Sequence, residues 1–209
     1  MKKNIVILIL VLIGLCMTGN GVFAEGCPFS LRLSGQIIPN LYGDAGDGTN
    51  APAYDDVFDP ALGLNIEGDY KLNEKLSLLI TIGYESSSGG DYNGISFDDH
   101  KIMPVSVGGK YMLSANSTGW IPYLRADLGM ARLDSVKISY MGSSMDYWDS
   151  SWEPMFDIGA GAEYRKGSYG FFLEIKARHI DSPSSAMGPY SDSQASWDLP
   201  LIAGISIHF

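Results

Sequence analysis

The sequence has few cysteines, little positive charge and, beyond its first residues, no long apolar run. Its two cysteines are Cys16 and Cys27. Since Cys16 lies in a segment that we expect to be cleaved off, the mature chain keeps one cysteine and cannot form an internal disulfide. Lysine and arginine number 14 against 24 aspartates and glutamates, a balance that argues against a general nucleic-acid binder. No later stretch reaches about 18 apolar residues, so no transmembrane helix is expected.

The N-terminal residues have the composition of a secretory signal peptide. Met1-Lys2-Lys3 is basic, residues 5–16 form an apolar run, and Val22-Phe23-Ala24 places small residues before a cleavage site. The apolar run is shorter than the ~20 residues that a membrane-spanning helix needs. We therefore predict a signal peptide at 1–24 and a single β-barrel domain at 25–209.

The remaining chain alternates between apolar and polar residues with a period of two, which is typical of β-strands with two unlike faces. No stretch has helical periodicity. The predicted strands are approximately Phe29–Tyr42, Val57–Lys71, Lys75–Glu85, Phe97–Leu113, Trp120–Arg132, Pro154–Arg165, Tyr169–Ile180 and Trp197–Phe209. Pro104, Pro122 and Pro200 fall within them, and each removes a hydrogen-bond donor from the sheet. We therefore expect bulges or strand ends at these prolines.

The connections between the strands alternate between short turns and long segments rich in Gly, Ser and Asp. The long segments are Gly43–Asp56, Ser86–Ser96, Leu133–Glu153 and Asp181–Ser196. Tight turns at one end and long loops at the other are typical of an antiparallel up-and-down meander closed into a barrel.

Alternation alone does not say which face points outward. With the apolar face inside, the chain would be a soluble barrel of lipocalin type; with that face outside, it would cross a membrane and have a polar interior. Glycines on the polar face favour the second, because a narrow interior cannot hold large side chains throughout. Aromatic residues near strand ends on the apolar face also favour it. We predict an all-β, eight-stranded antiparallel transmembrane barrel with both termini periplasmic.

Three parts of the chain carry a family resemblance: Ile102–Tyr111, Ile121–Gly129 and the final strand with its terminal Phe209. They resemble the small outer-membrane β-barrel proteins of Gram-negative bacteria, among them the OmpA transmembrane domain, the OmpW-like barrels and the opacity-type proteins. The resemblance implies an outer-membrane location, contact with outer-membrane lipid and lipopolysaccharide, and assembly by the barrel-assembly machinery through Phe209. It implies no specific activity, and we expect no peptidoglycan-binding domain of the kind found in full-length OmpA.

The polar face carries charges of both signs. Unpaired charges in so narrow an interior would cost several kcal/mol each, so we expect them to pair into a network that fills the barrel. The predicted network consists of Arg32, Glu67, Asp69, Lys110, Arg125, Asp127, Asp157, Glu163, Glu174, Lys176 and Arg178. It favours a structural or surface-interaction role over a wide pore.

Two other functions stay open at this stage. A narrow OmpW-like channel for small or apolar solutes would need an apolar lining near its mouth, for which Ile38, Leu79 and Ile202 are the inward candidates. A lipid A-modifying acyl hydrolase would need a base and a nucleophile at the rim, for which His179 and Ser182 are the candidates. We favour a membrane-interface role for His179 and predict no catalytic, cofactor or metal site.

The long loops are acidic. The first contains Asp44, Asp47, Asp55 and Asp56. We expect a solvated, disordered loop face, although acidic loops could also share divalent cations with lipopolysaccharide. Aromatic residues of the third loop favour a contact surface for a ligand, since exposed aromatics often mark such surfaces. These aromatics are Tyr140, Tyr147, Trp148 and Trp152.

Overall fold

A computed structural model describes residues 28–39, 41–46, 51–114, 118–186 and 194–209. The predicted signal peptide, Cys27 and Asp47 lie outside these residues. Within them, regular structure is almost entirely β, with 14 strands and one helix of 4 residues. No helix in the described part is long and apolar enough to cross a membrane.

The elements are numbered in chain order. They are β1 Phe29–Ile38, β2 Leu41–Tyr42, α1 Tyr54–Val57, β3 Ala61–Lys71, β4 Leu76–Ser87, β5 Asp91–Tyr92, β6 Ile95–Phe97, β7 His100–Met112, β8 Gly119–Leu133, β9 Val136–Tyr140, β10 Ser143–Trp148, β11 Ser151–Lys166, β12 Tyr169–Ile180, β13 Ser196–Asp198 and β14 Leu201–His208.

Eight of these strands close into a barrel, in the order β1, β3, β4, β7, β8, β11, β12, β14. Every neighbouring pair is antiparallel. The pair β14–β1 closes the sheet, with a register that runs from His208 opposite Ser30 to Leu201 opposite Ile37. Closure leaves no unpaired sheet edge in the barrel. The predicted eight-stranded antiparallel barrel is confirmed.

The outer face of the barrel is apolar and exposed, whereas its inner face is polar and buried. Leu64 on the outer face is 71% exposed, and neighbouring outward rows consist of leucine, isoleucine and valine. Aromatic rings lie at the ends of these rows, namely Tyr70, Tyr84, Tyr111, Trp120, Tyr164, Tyr169 and Trp197. A lipid bilayer stabilises this arrangement and water does not, which excludes the lipocalin-type barrel.

Inward glycines make room for large side chains in the narrow interior. A Cβ atom on Gly161 would lie 2.6 Å from Cζ of Tyr123 and 2.7 Å from the carbonyl oxygen of Leu173. A Cβ atom on Gly204 would lie 2.6 Å from Cζ of Phe172. The glycines on the polar face therefore allow the interior to be filled.

Several predicted strand ends are wrong, and proline accounts for three of the differences. Pro39 follows the last residue of β1, so β2 is a separate short strand, and α1 with the segment up to Pro60 replaces the predicted start of the second strand. Pro200 divides the predicted last strand into β13 and β14, and its carbonyl accepts a hydrogen bond from the Lys176 N–H at 3.0 Å. Pro104 and Pro122 stay within β7 and β8, and the register does not shift at either, so the expected bulges or strand ends are wrong for these two prolines.

The described parts of the long connections are folded, so the expectation of a disordered loop face is wrong there, although aspartates such as Asp55 and Asp146 are exposed to solvent as expected. β5, β6, β9 and β10 form a second antiparallel sheet above the barrel. Asn93–Gly94 and Met141–Gly142 close its two hairpins with positive φ at both turn residues, as two-residue hairpins prefer. We call the barrel end below this sheet the loop end and the opposite one the turn end.

Candidate functional site

The centre of the barrel is organised around Arg125, whose side chain is 2% exposed. Its Nη1 donates to Glu67 Oε2 at 2.7 Å and to Glu174 Oε1 at 3.0 Å. Its Nε and Nη2 donate to the two oxygens of Asp127 at 2.8 and 2.9 Å. A planar guanidinium suits this bidentate geometry. One cation therefore contacts carboxylates from β3, β8 and β12.

Arg32 joins the network on the side toward the turn end. It forms an ion pair with Glu67, donates to the Tyr123 hydroxyl at 2.7 Å, and lies 3.7 Å from the ring centroid of Phe172. The Tyr123 hydroxyl in turn donates to Glu174 Oε2 at 2.8 Å. These contacts satisfy polar groups that burial would otherwise leave without partners.

The network continues toward the loop end. Lys176 Nζ lies 3.2 Å from Asp157 Oδ2 and 3.6 Å from Asp127 Oδ2. Arg178 Nη1 lies 2.5 Å from Glu85 Oε1. Asp198 is the outermost member, and its Oδ2 is 3.9 Å from Arg178 Nε.

A second group of contacts lies at the turn end. Lys110 is paired with Asp69, and both are buried. Glu163 Oε1 lies 2.6 Å from His208 Nε2 and 3.2 Å from Arg165 Nη2. These contacts extend the network to the edge of the barrel interior.

All the charged residues predicted for the interior are buried there, and each takes part in an ion pair. The prediction omitted Glu85 and Asp198, although the alternation of their strands points both inward. It also omitted Tyr123, which lies in the same inward row as Arg125 and Asp127, because the predicted network was limited to charged residues. The role of the network as a plug stays a prediction.

Phe209 lies beside the first strand. Its N–H donates to the carbonyl oxygen of Phe29 at 3.2 Å, and the two rings stack with centroids 6.0 Å apart. The contact joins the two ends of the described barrel. The role of Phe209 as an assembly signal stays a prediction.

An apolar cluster, which we call the cap, covers the loop end of the interior. Tyr54, Phe58 and Trp148 surround the His100 ring at centroid distances of 6.4, 5.2 and 5.6 Å. His100 is the first residue of β7 and lies above the outward apolar row of that strand, which begins at the half-buried Met103. Burial lowers its pKa from 6.5 to about 4, because an apolar environment disfavours the charged imidazole.

The cap changes the interpretation of the loop aromatics and of the apolar channel candidates. Tyr147 and Trp148 are buried within the cap, whereas Tyr140 and Trp152 are exposed. Burial also raises the pKa of Tyr147. Ile38 is part of the same buried cluster, so this candidate lining residue packs against other side chains instead of facing an open path. Leu79 and Ile202 are buried inside the barrel.

His179 lies on the outer face near the loop end, among aromatic rings. Its ring stacks on Phe156 at 5.0 Å and meets the edge of Trp197 at 4.9 Å. Ser182 lies beyond the end of β12, where its N–H donates to Asp181 Oδ1 at 2.8 Å. The packing of His179 is that of an aromatic girdle at a membrane interface.

The described acidic residues of the first loop do not converge. Asp44 Oδ2 accepts a hydrogen bond from Gln194 at 2.8 Å, while Asp55 and Asp56 are exposed on α1. Among the described residues, no group of three or more His, Cys, Asp or Glu side chains could hold a metal ion.

Comparison with known proteins supports the fold and no finer assignment. No protein-family model and no curated protein sequence matches the chain. The structure is similar to neisserial surface protein A, with 14% identity and a TM-score of 0.56 over 88% of this chain and 100% of that one. It is also similar to OprG from Pseudomonas aeruginosa, with 14% identity and a TM-score of 0.55 over 87% of this chain and 96% of that one. The chain therefore has the fold of the small bacterial outer-membrane β-barrel proteins.

Proposed function

We propose that this protein is an outer-membrane barrel with a closed interior, and that its role is structural or surface-interacting rather than that of a wide pore. The observation that carries the proposal is the charged network, whose ion pairs run without a break from Arg32 to Asp198 at the loop end. A second group of ion pairs, around Lys110 and Glu163, lies at the turn end. Paired charges that cross the lumen occupy the space that a conducting pathway would need.

The packing of the interior supports the same proposal. Tyr123 and Phe172 are buried beside Arg32, and close glycine contacts leave little room around them. The cap adds a second barrier of buried aromatic side chains at the loop end. A solute would have to displace both layers.

The folded loop end supports the surface-interaction part of the proposal. The β9–β10 hairpin projects Tyr140, Met141 and Met145, and Met141 is 86% exposed. Exposed apolar side chains at the tip of an ordered hairpin are suited to contact with another molecule. Exposed aspartates, including Asp146 beside the tip, would favour a ligand with positive charge.

Conductance of the purified barrel in a planar bilayer tests the closed interior. We expect no steady conductance from the wild type, and none from a Trp148→Ala variant that loosens the cap without touching the network. A large steady conductance from the wild type would contradict the proposal. Conductance that appears only in Trp148→Ala would make the cap, and not the charged network, the barrier.

A further inference from the structure

We propose that Ser30, at the turn-end mouth of the barrel interior, is a nucleophile that accepts acyl groups from short-chain esters. His208 is its general base, and Glu163 positions that base. The proposal goes beyond the proposed function because it assigns a site of covalent modification. It does not depend on whether the interior conducts ions, since the site lies at the mouth.

Ser30 and His208 form the first contact of the site. They lie directly opposite each other on β1 and β14, and Ser30 Oγ is 2.7 Å from His208 Nδ1. Both belong to inward rows, because Arg32 and Ser206, two residues away on the same strands, are buried. A nucleophile and its base need to lie within hydrogen-bond reach, about 2.6–3.2 Å. The pair meets this requirement.

Glu163 determines which nitrogen of His208 carries the proton. Its Oε1 lies 2.6 Å from His208 Nε2, and it is paired with Arg165. An ionised carboxylate only accepts hydrogen bonds, so Nε2 carries the hydrogen. Nδ1 of the neutral imidazole then has a lone pair that accepts the Ser30 O–H. The order nucleophile, base and acid is that of a catalytic triad, which is recognised by geometry and roles and not by sequence position.

The carboxylate of Glu163 is held in place. It is fully buried, and its Oε1 accepts hydrogen bonds from Ser206 Oγ at 2.9 Å and from Arg165 Nη2 at 3.2 Å. Gly170 on β12 lies between Glu163 on β11 and His208 on β14, and a Cβ atom there would be 2.7 Å from Glu163 Oε1. This glycine therefore leaves the space through which the acid reaches the histidine.

Backbone hydrogen bonds fix the ends of the two strands that carry the nucleophile and the base. The His208 N–H donates to the Ser168 carbonyl oxygen at 2.8 Å, and the Phe209 N–H donates to the Phe29 carbonyl oxygen at 3.2 Å. Preorganised groups of this kind do not have to be ordered at the moment of reaction.

The position of Ser30 limits what reacts with it. Ser30 is half-buried and the His208 side chain is 16% exposed, so both are reached from the aqueous side of the turn end. Phe29 and Leu31 lie on the outward row, which keeps the acyl chains of membrane lipids away from the inward hydroxyl. Arg32, 1% exposed, closes the interior beyond the site. A short-chain soluble ester fits this shallow mouth, whereas a lipid does not.

Acylation moves one acyl group and one proton. Ser30 Oγ forms a bond to the ester carbonyl carbon while its proton moves to His208 Nδ1. The bond between that carbon and the alcohol oxygen then breaks, and the alcohol leaves with the proton from His208. Asp69, opposite Ser30 on β3, is paired with Lys110, so its negative charge is compensated beside the anionic intermediate.

Labelling of the folded mature barrel in detergent by an alkyl fluorophosphonate tests the nucleophile. In this reaction Ser30 Oγ bonds to phosphorus and fluoride leaves, while the proton passes to His208. We expect the label on Ser30 and none in Ser30→Ala. The matched control is Ser34→Ala, which removes another half-buried inward serine of β1 and should label like the wild type.

The rate of labelling tests the base and its positioning residue. His208→Gln should lower the maximal rate by about a hundredfold or more, as loss of a general base does. Glu163→Gln removes the charge that stabilises the imidazolium, and we expect a loss of about tenfold or more. In both variants, the probe concentration that gives half the maximal rate should not change. A mouth that is merely distorted would raise that concentration.

A short-chain ester tests the acyl class. Incubation with para-nitrophenyl acetate should leave an acetyl group on Ser30 of the wild type, located by peptide mass spectrometry, and none on Ser34. A folded wild type without fluorophosphonate label would overturn the proposal, as would a label on Ser206 or an undiminished rate in His208→Gln. Label without acetylation would overturn the assignment to esters. Heat-modifiable migration in gels checks that each variant is folded, and a barrel that conducts ions would leave these outcomes unchanged.

Discussion

Arg125 on β8 contacts Glu67 on β3 at 2.7 Å, although β4 and β7 separate the two strands around the barrel. The contact therefore crosses the interior and does not follow the wall. Because Arg125 also binds Asp127 and Glu174, its side chain ties distant parts of the wall together.

Loss of this side chain should destabilise the barrel strongly. Arg125→Met leaves Glu67, Asp127 and Glu174 without a shared partner, and we expect a loss of about 3–5 kcal/mol in the free energy of unfolding. Urea unfolding in detergent measures it. The reference variant Arg132→Met removes an exposed guanidinium and should change the free energy by less than about 0.5 kcal/mol. Equal effects of the two variants would contradict a buried network.

A second substitution should restore the charge balance of the network after a first substitution has removed one charge. Lys176→Met removes the nearer cation of Asp157, at 3.2 Å, and leaves it only Arg178 at 3.8 Å, so we expect a destabilisation of about 3 kcal/mol. Adding Asp157→Asn removes the uncompensated charge and should recover much of that loss in the same unfolding assay. If neither single substitution changes the free energy of unfolding, the interior is hydrated and open, and the prediction that the charged network fills it is wrong.

Two glycines should respond differently to the same substitution. In Gly161→Ala, the new methyl group would meet the Leu173 carbonyl oxygen at 2.7 Å, and backbone cannot move cheaply. In Gly35→Ala, it would face outward, with its nearest neighbour at 3.9 Å. We expect Gly161→Ala to lower the folded fraction in heat-modifiability gels and Gly35→Ala to fold like the wild type. Normal folding of Gly161→Ala would show that the interior beside Gly161 can accommodate an additional methyl group, which would contradict the close packing.

The cap should weaken in mild acid. Because the pKa of His100 is about 4 in the folded protein against 6.5 without burial, unfolded loops bind its proton more tightly. Cap stability is therefore complete above about pH 6.5 and falls as the pH drops toward 4, by an amount on the order of 3 kcal/mol. Protection from hydrogen exchange in α1 and β9, corrected for intrinsic rates, should decrease over this range.

The variant His100→Phe provides the control for the pH experiment. It keeps a ring against Tyr54, Phe58 and Trp148 but cannot take up a proton. We expect its protection to be independent of pH between about 4 and 6.5. An unchanged pH dependence in this variant would assign the effect to another group.

Incubation with lipopolysaccharide tests the hydrolase alternative at the rim. His179 packs between Phe156 and Trp197, which suits an interfacial ring better than a catalytic base. We expect no acyl release above a detergent blank from the wild type or from His179→Ala. Release by the wild type that His179→Ala abolishes would make the protein an enzyme.

The local pattern of the chain was enough to predict the barrel strands and their faces. The alternation of Leu62, Leu64 and Ile66 with Gly63 and Asn65 identifies an apolar and a polar face, because successive side chains of a strand point to opposite sides. β12 has the predicted ends, Tyr169 and Ile180. The folded structure of the loops could not be predicted in this way, because Tyr147 and Trp148 become buried only when several loops pack together.

The sequence by itself determined which side chains enter the interior, since alternation is a property of each strand alone. Only the tertiary structure decided which of them pair. Arg125 contacts Glu67 across the lumen, and Arg178 contacts Glu85 on a strand that is not its neighbour. Both contacts form because barrel closure and strand register set the position of each residue along the barrel axis. Closure and register depend on all eight strands together, so no single segment of sequence contains them.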